Sequence, residues 1–336
     1  MPSLSSNNQS AQGDAQTQDS TLACAHFIRE IGRGKEGARN LSLDDARQMY
    51  AAMLAGRVSQ LELGAILIAM RVKGESVDEL CGFLQAAHAT LDLITDPGMK
   101  FAPLLIPSYN GARKMANLTP LLALLLAKEG VPVLLHGVEQ DAGRVTSYEV
   151  MQALGLPPAF QQAHLHAIWA RHLPAFMSID SLAPQMAKLL QLRRILGLRS
   201  STHTLVKILQ PFDCPALRIT SYTHPEYHRL LSDYFAHAQA SALGDALLMR
   251  ATEGEAVANA RRAQQIEWCK QGQFETLVPK QEVAQSELDL PSERDADTTA
   301  RWIDDVLCGV RAVPAAIAAQ VEQCLLVCAD LKQRQS

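Results

Sequence analysis

The chain has 336 residues, a formal net charge of −4 and 48% hydrophobic residues, which together are typical of a soluble globular protein with a large and a small domain. It contains no run of about eighteen uncharged apolar residues, and its polar start lacks the basic and apolar regions of a signal peptide. We therefore expect a cytoplasmic protein that does not enter a membrane.

The first part of the chain is predicted to be helical. Residues 1–22 are rich in Ser, Gln, Asn and Asp, a composition that predicts a disordered tail. Residues 23–95 are predicted to form a small N-terminal helical domain, because apolar residues recur at helical spacing in segments such as "SLDDARQMYAAML", with Ser42 as the N-cap. Part of the segment 160–197 is expected to pack on this domain.

Residues 96–336 are predicted to form an α/β domain. The short apolar runs "FAPLLIP" and "VPVLLHG" alternate with the helical patterns "LTPLLALLLAKEG" and "SYEVMQALG", and this order predicts a mainly parallel central sheet. A helical stretch from Gln162 to Leu196 is expected to interrupt the alternation. The runs "ALRITSY" and "ALLMRAT" and a final helix from Pro314 to Lys332 then resume it.

The segment "IPSYNGARKMANLTP" has the outline of a phosphate-binding strand, loop and helix but almost none of the glycines. An apolar run ends at Ile106, a polar loop follows, and Asn117 and Thr119 stand where a helix can begin at Pro120. A phosphate site, the remnant of one and an ordinary connection all fit this pattern.

Several segments carry a resemblance to a known family: "HFIREIGRGKEGARNLSLDDARQMYAAMLAGRVSQLELGAILIAMRVKGESVDELCGFLQA", "LLHGVEQDAGRVTSYEVMQALG", "LRRILGLRS" and "ATEGEAVANARRA". The chain resembles the anthranilate phosphoribosyltransferases and pyrimidine nucleoside phosphorylases of glycosyltransferase family 3. More narrowly, it is similar to their YbiB-like branch, whose members are described as DNA-binding proteins. The resemblance implies a helical domain joined to an α/β domain, and a homodimer formed through the helical domain.

The resemblance also indicates where enzymes of this family hold phosphoribosyl pyrophosphate. Their GTGGD loop falls on residues 107–111, where Pro107, Tyr109 and Asn110 replace the glycines that let backbone amides approach phosphate. Their KHGN segment falls on residues 135–138 and has lost its lysine and asparagine. We use the name degenerate phosphate loop for the positions of these two segments and of the following helix start that would surround a phosphate. They are Ser108, Tyr109, Asn110, Gly111, Asn117, Thr119, His136 and Gly137.

Magnesium binding is also expected to be lost. The acidic pair of the enzymes falls on Ala256 and Val257, although Glu253 and Glu255 lie close. The seven cysteines include no CxxC pair, which argues against a zinc site. We therefore expect no metal, no cofactor and no catalytic residue for phosphoribosyl transfer. Tyr109 is expected either to fill the loop or to stack on a base.

The charges of the chain are segregated. No acidic residue lies between Asp180 and Asp213, or from Pro97 to Lys128, whereas acidic residues outnumber basic ones from Glu275 to Asp305. In the family fold both acid-free windows border the cleft between the domains. We predict a basic groove that binds DNA or RNA with little sequence preference. Its candidate residues are Lys188, Arg193, Arg194, Arg199, Lys207, Arg113, Lys114, Arg261 and Arg262.

Two other functions fit the sequence. A pentosyltransferase acting on an unknown acceptor could use Arg194 and Arg199 to hold an anionic group and His136 as a polar group in the cleft. An interaction protein would use the helical domain as a dimer surface and leave the cleft without a ligand. The missing glycines place the pentosyltransferase function after nucleic-acid binding.

Overall fold

The structure, a computed structural model, describes residues 21–335 except positions 35, 157, 252, 263 and 281–288. Most of the predicted tail, residues 1–20, therefore lies outside the described residues. The amide of Leu22, near its end, donates to the carbonyl oxygen of Arg57 at 2.8 Å. Among the described residues, no helix combines the length and the apolar composition that crossing a membrane requires.

Four helices form the N-terminal helical domain. Ser42 is the N-cap of the second helix, as predicted, and its hydroxyl accepts from the amide of Asp45. Ser59 and Ser76 cap the next two helices in the same way. The helices are α1 (Ala25–Ile31), α2 (Leu43–Leu54), α3 (Gln60–Lys73) and α4 (Val77–His88).

The second part of the chain is an α/β domain with a seven-stranded sheet in the order β3-β2-β1-β4-β5-β6-β7. The first five strands in this order are parallel, and β6 and β7 are antiparallel, so the predicted fold class is confirmed. The strands are β1 (Leu104–Ser108), β2 (Val133–Gly137), β3 (Ala175–Ser178), β4 (Leu217–Tyr222), β5 (Ala246–Arg250), β6 (Ile266–Lys270) and β7 (Gln273–Val278).

Helices cover both faces of this sheet. Leu105 packs in a core that continues into the helical domain, whereas its neighbours Leu104 and Ile106 face the opposite core. From the long connection after β3, α9 packs against α2. The helices are α5 (Thr119–Lys128), α6 (Ser147–Ala153), α7 (Gln162–Trp169), α8 (Ile179–Leu182), α9 (Pro184–Gln191), α10 (Arg193–Leu196), α11 (Thr202–Leu205), α12 (Pro225–Ala236), α13 (Ala238–Ala242), α14 (Ala296–Leu307) and α15 (Ala315–Gln333).

The prediction of an uninterrupted helical stretch from Gln162 to Leu196 is wrong, because β3 lies within it. This strand has only four residues and pairs with β2 alone, so its pattern was too short to separate from the helices around it. The antiparallel hairpin of β6 and β7 was also missed. Half the residues of its outer strand are polar and exposed, which weakens the apolar signal of a strand.

The carboxyl ends of the parallel strands meet at one edge of the sheet, as they do at the ligand-binding edge of other α/β folds. Ser108 ends β1, Gly137 ends β2, Tyr222 ends β4 and Arg250 ends β5. Gly137 is required there, because a Cβ atom at this position would lie 1.8 Å from the carbonyl oxygen of Ser108. The degenerate phosphate loop therefore begins at this edge.

Candidate functional site

The loop after β1 keeps the geometry of an anion site, and a side chain of the protein fills it. The Glu255 carboxylate is 6% exposed and accepts hydrogen bonds from the amides of Asn110 and Gly111 at 2.9 and 2.8 Å. The hydroxyls of Ser108 and Thr119 donate to its other oxygen at 2.6 and 3.5 Å. Successive amides and hydroxyls are the donors that bind phosphate in such loops. Glu255 thus occupies the place of the anion.

Glu253 completes this arrangement two residues earlier. Its carboxylate accepts from the amides of Arg113 and Lys114 at 3.0 and 2.7 Å. Both carboxylates that lie near the family's magnesium positions are thus bonded to N–H groups. No group of three His, Cys, Asp or Glu side chains that could hold a metal ion is found in the described ranges.

Tyr109 fills the loop rather than presenting a ring to a base. It is 8% exposed, and its hydroxyl shares a 2.8 Å hydrogen bond with Nδ1 of His136. Burial lowers the pKa of His136 to about 3 and raises the pKa of Tyr109, so both groups are neutral at neutral pH. Of the two predictions for Tyr109, base stacking is therefore wrong, because the ring has no free face.

Asn117 and Thr119 serve the local structure at the start of α5. The Asn117 side chain accepts from the amide of Thr119 at 3.2 Å and donates to the Val145 carbonyl and the Ser147 hydroxyl. Gly111, on the other side of this contact, has a positive φ of 60° that other residues rarely adopt. These bonds hold the residues before α6 against the degenerate phosphate loop.

Four cations gather around this loop, and we call Arg144, Arg193, Arg199 and Lys207 the basic cluster. The Arg199 guanidinium donates to the Asn110 side chain at 2.6 Å. Arg144 donates to the Gly111 carbonyl at 3.2 Å, and Lys207 donates to the Gly254 carbonyl at 3.3 Å. Arg193 lies 3.8 Å from Asp141, which is also 3.7 Å from Arg144.

The cations of the basic cluster act on one another. The pKa of Arg199 is lowered by burial and by the charges of Arg193 and Arg144. Burial lowers the pKa of Lys207 to about 8; Glu255 opposes this shift, whereas Arg199 and Arg144 add to it. Burial and the charges of Arg199, Arg193 and Lys207 lower the pKa of His203 to about 4, so it stays neutral. The cluster thus concentrates positive charge at the cost of mutual repulsion.

The other predicted cations lie at varying distances from this cluster. Lys188 on α9 and Arg194 on α10 are exposed, and neither side chain has a hydrogen-bonding or ion-pair partner among the described residues. Arg113, Arg261 and Arg262 are also exposed. Arg199, by contrast, is half-buried against Asn110.

A cavity of about 300 Å³ opens beside the degenerate phosphate loop on the side of the α5 N-terminus. Lys114, Asn117 and Arg261 line one part of it, and Glu253 and Glu255 line another. The structure thus brings Lys114 and Arg261 to one cavity, and both lie near the carboxylates that fill the loop.

Sequence reasoning missed two residues of the site. Arg144 was overlooked because Glu139 and Asp141 precede it, so its segment did not stand out by charge. Glu255 was considered for magnesium, whereas it binds backbone amides that lie 145 and 144 positions away in the chain. The sequence offered one signal for this contact: the backbone amides after β1 are expected to favour an anionic partner.

Comparison with known sequences identifies relatives that match most or part of the chain. Residues 25–90 match the family described as "Glycosyl transferase family, helical bundle domain". The chain is 44% identical over 301 residues to the uncharacterized protein YbiB of Escherichia coli (strain K12), and the match covers 89% of this chain and 92% of that protein. It is also 27% identical to an anthranilate phosphoribosyltransferase of Persephonella marina, over 56% of this chain and 54% of the enzyme.

Solved structures show the same fold. Anthranilate phosphoribosyltransferase from Thermus thermophilus superposes with a TM-score of 0.69 over 91% of this chain and 89% of that one, at 18% identity. The enzyme from Saccharomyces cerevisiae in complex with PRPP and Mg gives the same TM-score over 92% of this chain and 88% of its own, at 14% identity. At this identity the likeness concerns architecture alone.

Proposed function

This chain belongs to the glycosyltransferase family that contains YbiB and the anthranilate phosphoribosyltransferases, and we propose that it is a non-catalytic member that binds DNA or RNA. The basic cluster and the exposed Arg194 would contact the phosphates. Such contacts carry little sequence information, so binding would depend weakly on base sequence. In this proposal the protein acts in the cytoplasm, and its binding of nucleic acid needs neither a metal nor a cofactor.

The observation that carries this proposal is the imbalance of charge around the degenerate phosphate loop. The cluster's four cations have Asp141 between two of them and Glu255 beside Lys207. Holding like charges together costs free energy that an anionic ligand would recover. A single phosphate in the loop is not that ligand, because the Glu255 carboxylate already takes its donors. A polyanion running across the cluster fits both facts.

The experiment that tests this function is fluorescence anisotropy with labelled single-stranded and duplex oligonucleotides at low salt. We expect saturable binding of at least one form, with similar affinities for unrelated sequences. If neither form binds, the proposal fails and the interaction-protein function takes its place.

Phosphoribosyl transfer to anthranilate is expected to stay at background. The loop lacks its glycines, Leu135 replaces the family's lysine, and the Glu253 and Glu255 carboxylates are bonded to amides. Anthranilate fluorescence in the presence of phosphoribosyl pyrophosphate and magnesium would measure this directly. Turnover that scales with protein concentration and magnesium would restore the pentosyltransferase function.

We also propose a homodimer formed through α3. Leu61, Ile68 and Val72 are 85%, 37% and 61% exposed, and their spacing places them on one side of the helix. An apolar stripe of this kind is typical of a surface that a partner covers. A second copy of the chain suits it, because a two-fold axis would pair the stripe with itself.

The dimer is tested by replacing Leu61 and Val72 with Asp. Light scattering should report twice the chain mass for the native protein and the chain mass for the double variant, since each carboxylate would lie in an apolar interface. Replacing Arg39 and Arg301, exposed elsewhere, with Asp should leave the dimer intact. A monomeric native protein at micromolar concentration would contradict the proposal.

A further inference from the structure

A group of aromatic side chains lies beside the basic cluster at the carboxyl edge of the sheet. We propose that Tyr222, Tyr227 and His228, called here the aromatic patch, stack with the bases of a single-stranded nucleic acid whose phosphates the basic cluster holds. This inference rests on the proposed function and specifies its ligand as a strand with unpaired bases. Tyr109 cannot supply this contact, because its ring is buried in the loop.

The aromatic patch lies at the same edge of the sheet as the basic cluster. The first turn of α12, which carries Tyr227, follows β4, and β4 is the sheet neighbour of β1, whose loop binds Arg199. Tyr222 ends β4 and lies opposite the exposed Arg250 in the register of β4 and β5. Arg250 thus lies on the β5 side of the aromatic patch, and the loop that binds Arg199 lies on the β1 side.

The rings are held in place but are not enclosed. The Tyr222 and His228 ring centroids are 4.6 Å apart, and Glu267 fixes His228 through a 2.7 Å contact with Nε2. The Tyr227 hydroxyl accepts from Arg71 of the helical domain at 3.1 Å. All three rings are half-buried, unlike the enclosed Tyr50, Tyr109 and Tyr234. A positioned ring that remains accessible can stack with little loss of conformational entropy.

Stacking distinguishes single strands from duplexes. Every base has a π face, so aromatic side chains bind unpaired bases with little regard to sequence, and each such contact increases the affinity roughly five- to a hundredfold. In a duplex the base faces are covered by their neighbours. Phosphate contacts alone would bind both forms, and the aromatic patch would add affinity only for the single strand.

The test compares two oligonucleotides with the same phosphates: oligo-dT and an abasic oligonucleotide of equal length. The native protein should bind oligo-dT roughly five- to a hundredfold more tightly. Replacing Tyr222→Leu, Tyr227→Leu and His228→Leu together should reduce oligo-dT binding to the abasic level and leave abasic binding unchanged. The matched Tyr222→Phe and Tyr227→Phe variant keeps the rings, loses the hydroxyl that contacts Arg71, and should retain the preference.

The possible results of this test separate base stacking by the aromatic patch from phosphate binding by the basic cluster. If the native protein binds the two oligonucleotides equally, or the Leu variant keeps the preference, stacking by the aromatic patch is overturned while phosphate binding stands. If the Phe variant also loses the preference, the hydroxyls rather than the ring faces carry it, and the inference is again overturned. If native protein binds neither oligonucleotide, the inference is overturned, and the proposed function fails as well if duplex DNA also does not bind. The comparison on native protein needs no variant and remains decisive if a variant does not fold.

Discussion

Reversing the charge of Arg193 and Arg194 together should weaken nucleic-acid binding at least about a hundredfold at low salt, because two phosphate contacts become repulsive. Both residues lie on α10, where Arg194 is exposed and the Arg193 side chain is 39% exposed. Replacing them with Glu therefore disturbs little of the core. Arg199 is left unchanged, since its hydrogen bond to Asn110 supports the degenerate phosphate loop.

A matched control separates this local effect from the change in net charge. Arg39 and Arg301 are exposed on the helical domain and on α14, and replacing both with Glu changes the net charge by the same amount. We expect this control to lose only a small part of the affinity. Equal losses in the two double variants would show that binding follows overall charge and not the basic cluster. Normal binding by the Arg193 and Arg194 variant would place the polyanion site elsewhere.

Replacing Glu255 with Ala should lower the free energy of unfolding by at least about 3 kcal/mol, since each buried donor left without an acceptor costs about 1–3 kcal/mol. The donors concerned are the amides of Asn110 and Gly111 and the Ser108 hydroxyl. Urea unfolding followed by circular dichroism would measure the loss. Replacing Glu255 with Gln should cost less, because the side-chain carbonyl remains an acceptor.

Glu253 supplies the comparison for this variant. It also accepts from two amides, but it is half-buried, so water can replace it and Ala should cost about 1 kcal/mol or less. Inorganic phosphate should raise the stability of the Glu255→Ala protein more than that of the native protein, since only the variant has an empty anion site in the loop after β1. A Glu255→Ala protein as stable as the native one would contradict the structural role of this carboxylate.

The sequence predicted the elements whose apolar pattern is long or repeated. The runs that became β1, β2, β4 and β5 are bounded by helical patterns, and the alternation of the two types specified a parallel sheet. It did not predict β3, which is too short for a periodicity to be detected. The β6 and β7 hairpin was missed because half the residues of its outer strand are polar and exposed, which weakens the apolar pattern.

The site was predicted in part, and the difference has a physical cause. Segregated charge drew attention to Arg193, Arg199 and Lys207, because they lie in a window without acidic residues. Arg144 joins them only through the fold, which pairs Ala112 with Val145 in an isolated bridge. The insertion of Glu255 could not be read from spacing, since a hydrogen bond between residues so far apart in the chain depends on tertiary structure.

The salt dependence of nucleic-acid binding by the native protein tests the central claim most directly. Each neutralised phosphate contributes a slope of about −0.9 on duplex DNA and about −0.7 on single strands, when the logarithm of the association constant is plotted against that of the salt concentration. Engagement of the basic cluster predicts a slope steeper than about −2, with similar values for unrelated sequences. A slope near zero, or no binding at low salt, would contradict a polyanion site at this edge of the sheet.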